Sequence, residues 1–302
     1  MKGMFYGWYM KCQSASQTLA VIPAVHQSGK ERTCSIQMIT DHDAWNAVFP
    51  IEMFRKRGRN IWIGENQFGQ NGLKLKIRIP GLTIDGKLDF GPLSPLRYDV
   101  MGPFAMIPFM ECRHSVWSMR HRVNGTLRIQ DQIFHFQNAR GYWEGDKGRS
   151  FPKKYAWTQC FFSGGSLMLS VADIPMAGVR FTGVIGVILW YGKEYRLATY
   201  LGAKVIQIQN GKIRIVQGNM ELEVRLLESI KCSLKAPVAG NMERTIREGA
   251  ACRALYRFYK CGLPELFKPN TYVNRKKLKI ARISAVFLAE IWVLCYTLFR
   301  FN

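Results

Sequence analysis

Apolar and polar residues alternate with a period of two through most of the chain, the spacing of strands with one face in a core and one in water. Residues 73–80, LKLKIRIP, are the clearest instance, with Leu and Ile on one parity and Lys and Arg on the other. Comparable runs are expected at 19–25, 33–40, 60–68, 82–88, 115–123, 126–129 and 133–137. Further runs follow at 167–172, 181–190, 194–201, 204–209, 212–217 and 220–227. Gly-containing pairs punctuate them: Ser28-Gly29, Asn71-Gly72, Asp85-Gly86, Asn124-Gly125 and Asn210-Gly211. Asn-Gly and Asp-Gly between alternating runs are hairpin signals, because both residues accept a positive φ. Helical periodicity is scarce before residue 243. Short strands joined by close turns predict an all-β, antiparallel barrel or sandwich.

Composition agrees with a folded chain. Of 302 residues, 48% are hydrophobic and 13% aromatic, enough to bury one large core or two smaller ones. Lys and Arg outnumber Asp and Glu by 43 to 21, which suits an anionic partner. The cations are scattered along strands, however, apart from clusters at 55–59 and 275–282. No zinc-finger spacing, phosphate loop or helix-turn-helix accompanies them, so no specific nucleic-acid function is expected. The eight cysteines form no CxxC pair and have no histidine at ligand spacing. No metal site is expected, and reduced thiols packed in the core of a cytoplasmic protein are. The opening MKGMFYGWYMKCQ has no unbroken apolar stretch of the kind found in a signal peptide.

Residues 141–160, GYWEGDKGRSFPKKYAWTQC, concentrate the candidate chemistry. Glu144 and Asp146 lie two apart, so an extended strand puts both on one side and Trp143 on the other. Carboxylates held near aromatic faces and out of water can have strongly shifted pKa values. A barrel interior would bind an apolar ligand, and Trp8, Tyr9, Trp117, Tyr142, Trp143 and Trp157 are the aromatic residues expected to line it. His114, in ECRHSVWSMRH beside Glu111 and Arg113, is the histidine expected to act there. It is seven residues from His121, so the two should face opposite sides. His26 and His135 are expected to be structural.

GWYMKCQ, the GYWEGDKGRSFPKKYAWTQC segment and SLMLSVADIP together resemble the tocopherol cyclase family, over about residues 7–262. A more distant likeness extends to carotenoid hydratases and related lipocalin-like proteins. The resemblance implies two tandem lipocalin-like barrels, residues 1–178 carrying the motif and residues 179–262; after Gly262 the alternation stops and the composition shifts, so a short non-β tail is expected over 263–302. It also implies cofactor-free cyclisation of a prenylated hydroquinone to a chromanol. In such a reaction a neutral carboxylic acid protonates a trisubstituted alkene, and a phenol oxygen captures the tertiary cation. Glu144 is expected to be the acid, with Trp143, Trp157 and Trp8 facing the cation. Asp146 or His114 would accept the phenolic proton. Lys147, next to this pair, would lower the acid's pKa if it shared its side.

Two other readings use the same residues: a hydratase of an isoprenoid alkene, and a non-catalytic carrier of an isoprenoid or lipid. The tail adds a third element. The basic run at 274–282 precedes an apolar one at 283–299 interrupted by Glu290. That pattern is short for a membrane span but would suit a tail resting on a membrane surface.

Overall fold

The computed structural model describes residues 3–108, 110–176, 179–228, 233–247, 249–260 and 291–299. Its strands form two large antiparallel sheets and one hairpin. The first sheet uses β1 (Met4–Gln13), β2 (Thr18–Ser28), β3 (Glu31–Thr40), β4 (Ala44–Pro50), β5 (Phe54–Arg57) and β6 (Asn60–Ile63). It continues with β7 (Asn66–Gly69), β8 (Gly72–Ile79), β9 (Leu82–Phe90), β10 (Cys112–Ile129) and β11 (Gln132–Gly148). The second begins with β12 (Tyr155–Phe162), β13 (Gly165–Met176), β14 (Val179–Trp190) and β15 (Lys193–Ala198). Next come β16 (Lys204–Gln209), β17 (Lys212–Gln217) and β18 (Met220–Leu226). The hairpin is β19 (Ser233–Val238) with β20 (Asn241–Arg247), and β21 (Gly249–Lys260) and β22 (Ile291–Phe299) complete the second sheet.

The first sheet runs β4-β3-β2-β1-β11-β10-β9-β8-β7-β6-β5 and curls around one core, where Met10, Ile36, Ile61, Leu75, Leu127 and Trp143 meet. On β8 the sequence explains the burial directly. Leu73, Leu75 and Ile77 point inward and Lys74, Lys76 and Arg78 outward. The second sheet runs β15-β14-β13-β12-β22-β21-β18-β17-β16 around its own core of Leu169, Val184, Ile215 and Leu222 among others. A third apolar cluster joins the sheets: Tyr9, Ala20 and Ile39 from the first, Trp157, Phe161 and Val187 from the second, and Leu234 and Ile246 from the hairpin. Every residue of β12 is buried, because one side faces this cluster and the other faces the second core. Strands covered on both faces lose their alternation and become continuous apolar runs.

Two expected hairpins are strand interiors. Asp85-Gly86 lies within β9 and Asn124-Gly125 within β10; the chain reverses instead at Pro80-Gly81 and Gln130-Asp131. At Gly86 φ is 140° and at Gly125 it is 127°, and the two sit across the same β9–β10 pairing. A Cβ on Gly86 would stand 2.3 Å from the Thr126 carbonyl oxygen, and one on Gly125 2.3 Å from that of Lys87. The glycines permit a close backbone approach that bends the strands around the barrel. Beyond this bend the β10–β11 pairing shifts register between Val116 and Ser118 and again between Ser118 and His121.

The changeover between sheets lies between Gly148 and Tyr155, so the division expected after residue 178 falls inside the second sheet, between β13 and β14. Of the tail expected to be non-β, Ile291–Phe299 forms β22, hydrogen-bonded to β12 and β21. Its apolar character suits a strand in the middle of a sheet as well as a membrane-surface segment. Residues 261–290, including the basic run and Glu290, lie outside the described residues. Among the described residues no helix is long and apolar enough to cross a membrane. Cys12, Cys34, Cys160 and Cys252 are buried free thiols, and Cys112 is a half-buried one.

Candidate active site between the sheets

The outer face of the first sheet carries the polar residues of interest. Glu144 and Asp146 on β11 share that face, as their spacing requires, and β10 aligns His114 directly across from Asp146. His114 Nδ1 lies 2.8 Å from Asp146 Oδ1, and its Nε2 lies 3.1 Å from Glu144 Oε2. Glu144 Oε2 also accepts the Tyr142 hydroxyl and, at 3.2 Å, the indole N–H of Trp157 on β12. The donors all converge on Oε2; among the described residues none bonds Oε1. Glu144 is 4% exposed and His114 7% exposed, so this is a buried network.

Burial and mutual charge set its protonation. Burial is the main reason the Glu144 carboxyl is raised above the usual range; His114 and Tyr142 pull it back and Asp146 adds to the rise. Burial alone would lower His114, but the two carboxylates together outweigh it and hold the imidazole well above its ordinary value. Tyr142 is pushed well up by burial and by Glu144. The cluster therefore retains a proton that isolated groups would lose near neutral pH. Lys147 is exposed on the opposite parity and is not among the groups that shift Glu144. One imidazole nitrogen and two carboxylate oxygens lie within 4.8 Å of one another, a donor set that could also hold a metal ion.

The cluster walls a cavity of about 170 Å³ between the sheets. Phe5, Gly7 and Tyr9 of β1 and Ile22, Ala24 and His26 of β2 form one wall, all on a single parity. Tyr155, Trp157, Ala172 and Ile185 come from the second sheet, and Leu234 and Ile246 from the hairpin. Met101, Phe104 and Met110 cover it from the segment 91–111, which links β9 to β10. Arg196 on β15 holds that segment, donating to the Tyr98 and Asp99 carbonyls at 2.9 and 3.2 Å while paired with Glu194.

The aromatic residues expected at the site divide between the two faces. Tyr9 and Trp157 border the cavity and meet edge to face, with ring centroids 5.4 Å apart. Tyr142 reaches it through its bond to Glu144. Trp143 belongs to the first core, with Trp117 against it at 4.9 Å, and neither borders the cavity. Trp8 belongs to that core and also touches the cavity wall. His121 bonds Ser118 and is separate from the cluster. His26, expected to be structural, lines the cavity; its same-parity spacing with Ile22 and Ala24 was the available signal.

Solved structures share this architecture at low identity. CghA, in a structure with Sch210972, superposes with a TM-score of 0.59 at 8% identity, over 98% of this chain and 88% of that one. A second CghA structure gives 0.57 at 8% identity, over 85% and 84%. A protein of Nitrosomonas europaea assigned to AttH gives 0.52 at 10% identity, over 87% and 90%. The fold is a lipocalin-like barrel. No family model and no curated protein matches the sequence. At these identities the likeness is one of fold alone.

Proposed function

We propose that the protein is an acid-catalysed isomerase of the tocopherol cyclase type, closing a prenylated hydroquinone to a chromanol without a redox step. The observation that supports this most is the Glu144 carboxyl: raised by burial, bordering an apolar cavity, with every donor on Oε2. That arrangement leaves Oε1 to carry the acidic proton. Donation from Oε1 to the alkene creates a tertiary cation and a Glu144 carboxylate, which His114, Tyr142 and Trp157 already stabilise through Oε2. Trp157 and Tyr9 present aromatic faces to the cation. The phenol oxygen attacks the cation and gives its proton to Asp146. His114 touches both carboxylates, so a proton taken at Nδ1 from Asp146 can be matched by one delivered from Nε2 to Glu144 Oε2, and rotation of the carboxyl group brings that proton to the cavity side. The cycle then closes with no net proton change. The apolar lining keeps water from capturing the cation, which would give a hydrate instead.

Incubation of the purified protein with a prenylated hydroquinone, followed by chromatography and mass measurement, tests the reading. Unchanged mass with altered retention is expected. Gain of one water would make the protein a hydratase, and binding without conversion a carrier. Turnover abolished by a chelator and restored by a divalent ion would replace the proton at His114 with a metal.

A further inference from the structure

The cavity has a second polar group, two strands along the same sheet face from Glu144 and Asp146. His26 is 6% exposed on β2, on the same wall as Ile22 and Ala24. Its Nε2 lies 2.9 Å from the Ser35 hydroxyl, and Nδ1 is buried with no hydrogen-bond partner among the described residues. Its polar neighbour Gln37 is different, since it exchanges two bonds with the Lys235 backbone at 3.0 and 3.2 Å. Burial lowers the His26 pKa to about 4, so the ring is neutral at pH 7 and offers one donor and one acceptor. A buried polar atom left unpaired is costly, and a ligand that pairs it recovers that cost on binding.

We propose that His26 Nδ1 binds a hydroxyl at the far end of the ligand, so that the cavity selects molecules with two oxygens across a ring. The contact rests on the cavity and His26; the ring's identity as a hydroquinone rests on the cyclase reading. The sheet gives the spacing. Asp146 and Ala24 flank Gly7 from either side, and His26 lies two residues beyond Ala24. Two strand spacings and one same-face step separate Asp146 from His26 by roughly 12 Å. The two oxygens of a para-hydroquinone, each with one hydrogen bond of about 2.8 Å, span on the order of 11 Å. A hydroxyl can donate or accept, so it satisfies Nδ1 whichever way Ser35 orients the ring. The bare wall at Gly7 leaves room for the ring between these poles, since a Cβ there would touch only the Ala24 methyl, at 3.8 Å.

The test pairs two ligands, a prenylated hydroquinone and the prenylated monophenol that lacks the para hydroxyl. Affinities are measured on full-length Glu144→Gln protein, where turnover does not interfere, and turnover is followed separately on the native protein. The hydroquinone is expected to bind about tenfold tighter, and His26→Phe to bring the two ligands level. The proposal fails if both ligands bind alike before the histidine is changed, or if the preference survives in His26→Phe. Should that variant not fold, the ¹⁵N resonance of His26 Nδ1 decides. It should move with the hydroquinone and not with the monophenol; movement with neither overturns the contact. A preference without chromanol from the native protein sinks the cyclase reading and leaves the His26 contact standing.

Discussion

β1 and β11 lie side by side, and their two faces have opposite fates. On the inner face Trp8, Met10, Cys12 and Trp143 fill the first core. On the outer face Phe5, Gly7, Tyr9, Glu144 and Asp146 border a space that is not filled. The same backbone and the same residue spacing thus produce a packed interior and a binding wall. What separates them is side-chain volume and charge. The inner face uses large apolar groups that satisfy one another. The outer face pairs a glycine with carboxylates that can be buried only because His114, Tyr142 and Trp157 meet them.

Four experiments would break or sharpen that contrast. The largest effect is expected from Glu144→Gln, which removes the proton donor while keeping the shape. Turnover on a prenylated hydroquinone should fall by about 10²–10⁴, with folding and binding retained. Full activity in this variant would remove Glu144 from the mechanism. Next is Trp143→Ala on the inner face, expected to cost about 3–5 kcal/mol in urea unfolding because it empties a closed core. A change below ~1 kcal/mol would mean that face is not close-packed.

Gly7→Leu on the outer face should do the reverse, weakening ligand binding by about tenfold or more while leaving the unfolding midpoint nearly unchanged. A matching loss of stability would show that the wall has no free space. The smallest effect is a pH difference between the two cavity histidines. His26 is lowered from 6.5 to about 4, so the unfolded chain binds the extra proton in that window. Its contribution is full above 6.5 and is lost as the pH falls towards 4. His114 is raised, so its contribution is full below 6.5 and is lost as the pH rises through the folded value. Glu144, also raised, loses stability as the pH rises above its unfolded value of 4.5 and so opposes His26 there. Comparing His26→Phe with the native protein at each pH isolates the histidine. The stability of the native protein relative to the variant should fall as the pH falls from 6.5 to 4; a constant difference would remove His26 from the acid limb.

Much of this was legible in the chain. Period-two alternation found the strands, and a spacing of two put Glu144 and Asp146 on one face. What stayed hidden depends on pairing between distant segments. His114 meets Asp146 only because β10 and β11 lie in one register, and Trp157 reaches Glu144 from the other sheet. The single parity of Ile22, Ala24 and His26 was visible, but which side of β2 is hollow was not. Asp85-Gly86 and Asn124-Gly125 carried a hairpin composition because a close backbone crossing also requires glycine, and local sequence does not separate the two demands. The far end carries a similar ambiguity: Ile291–Phe299 pairs with β12 and β21, and an apolar run suits a membrane surface as readily as the middle of a sheet.

Two of the three register shifts along β10 and β11, those between Val116 and His121, divide a long ribbon into a barrel half and a site half. An irregular pairing absorbs small displacements that a regular ladder would pass along rigidly. Changes in the barrel half, down to the glycine crossing, need not move His114 relative to Asp146. Lineages could therefore alter the barrel's curvature and the chemistry of the cavity on separate schedules, with the bulged stretch from Val116 to His121 as the joint between them.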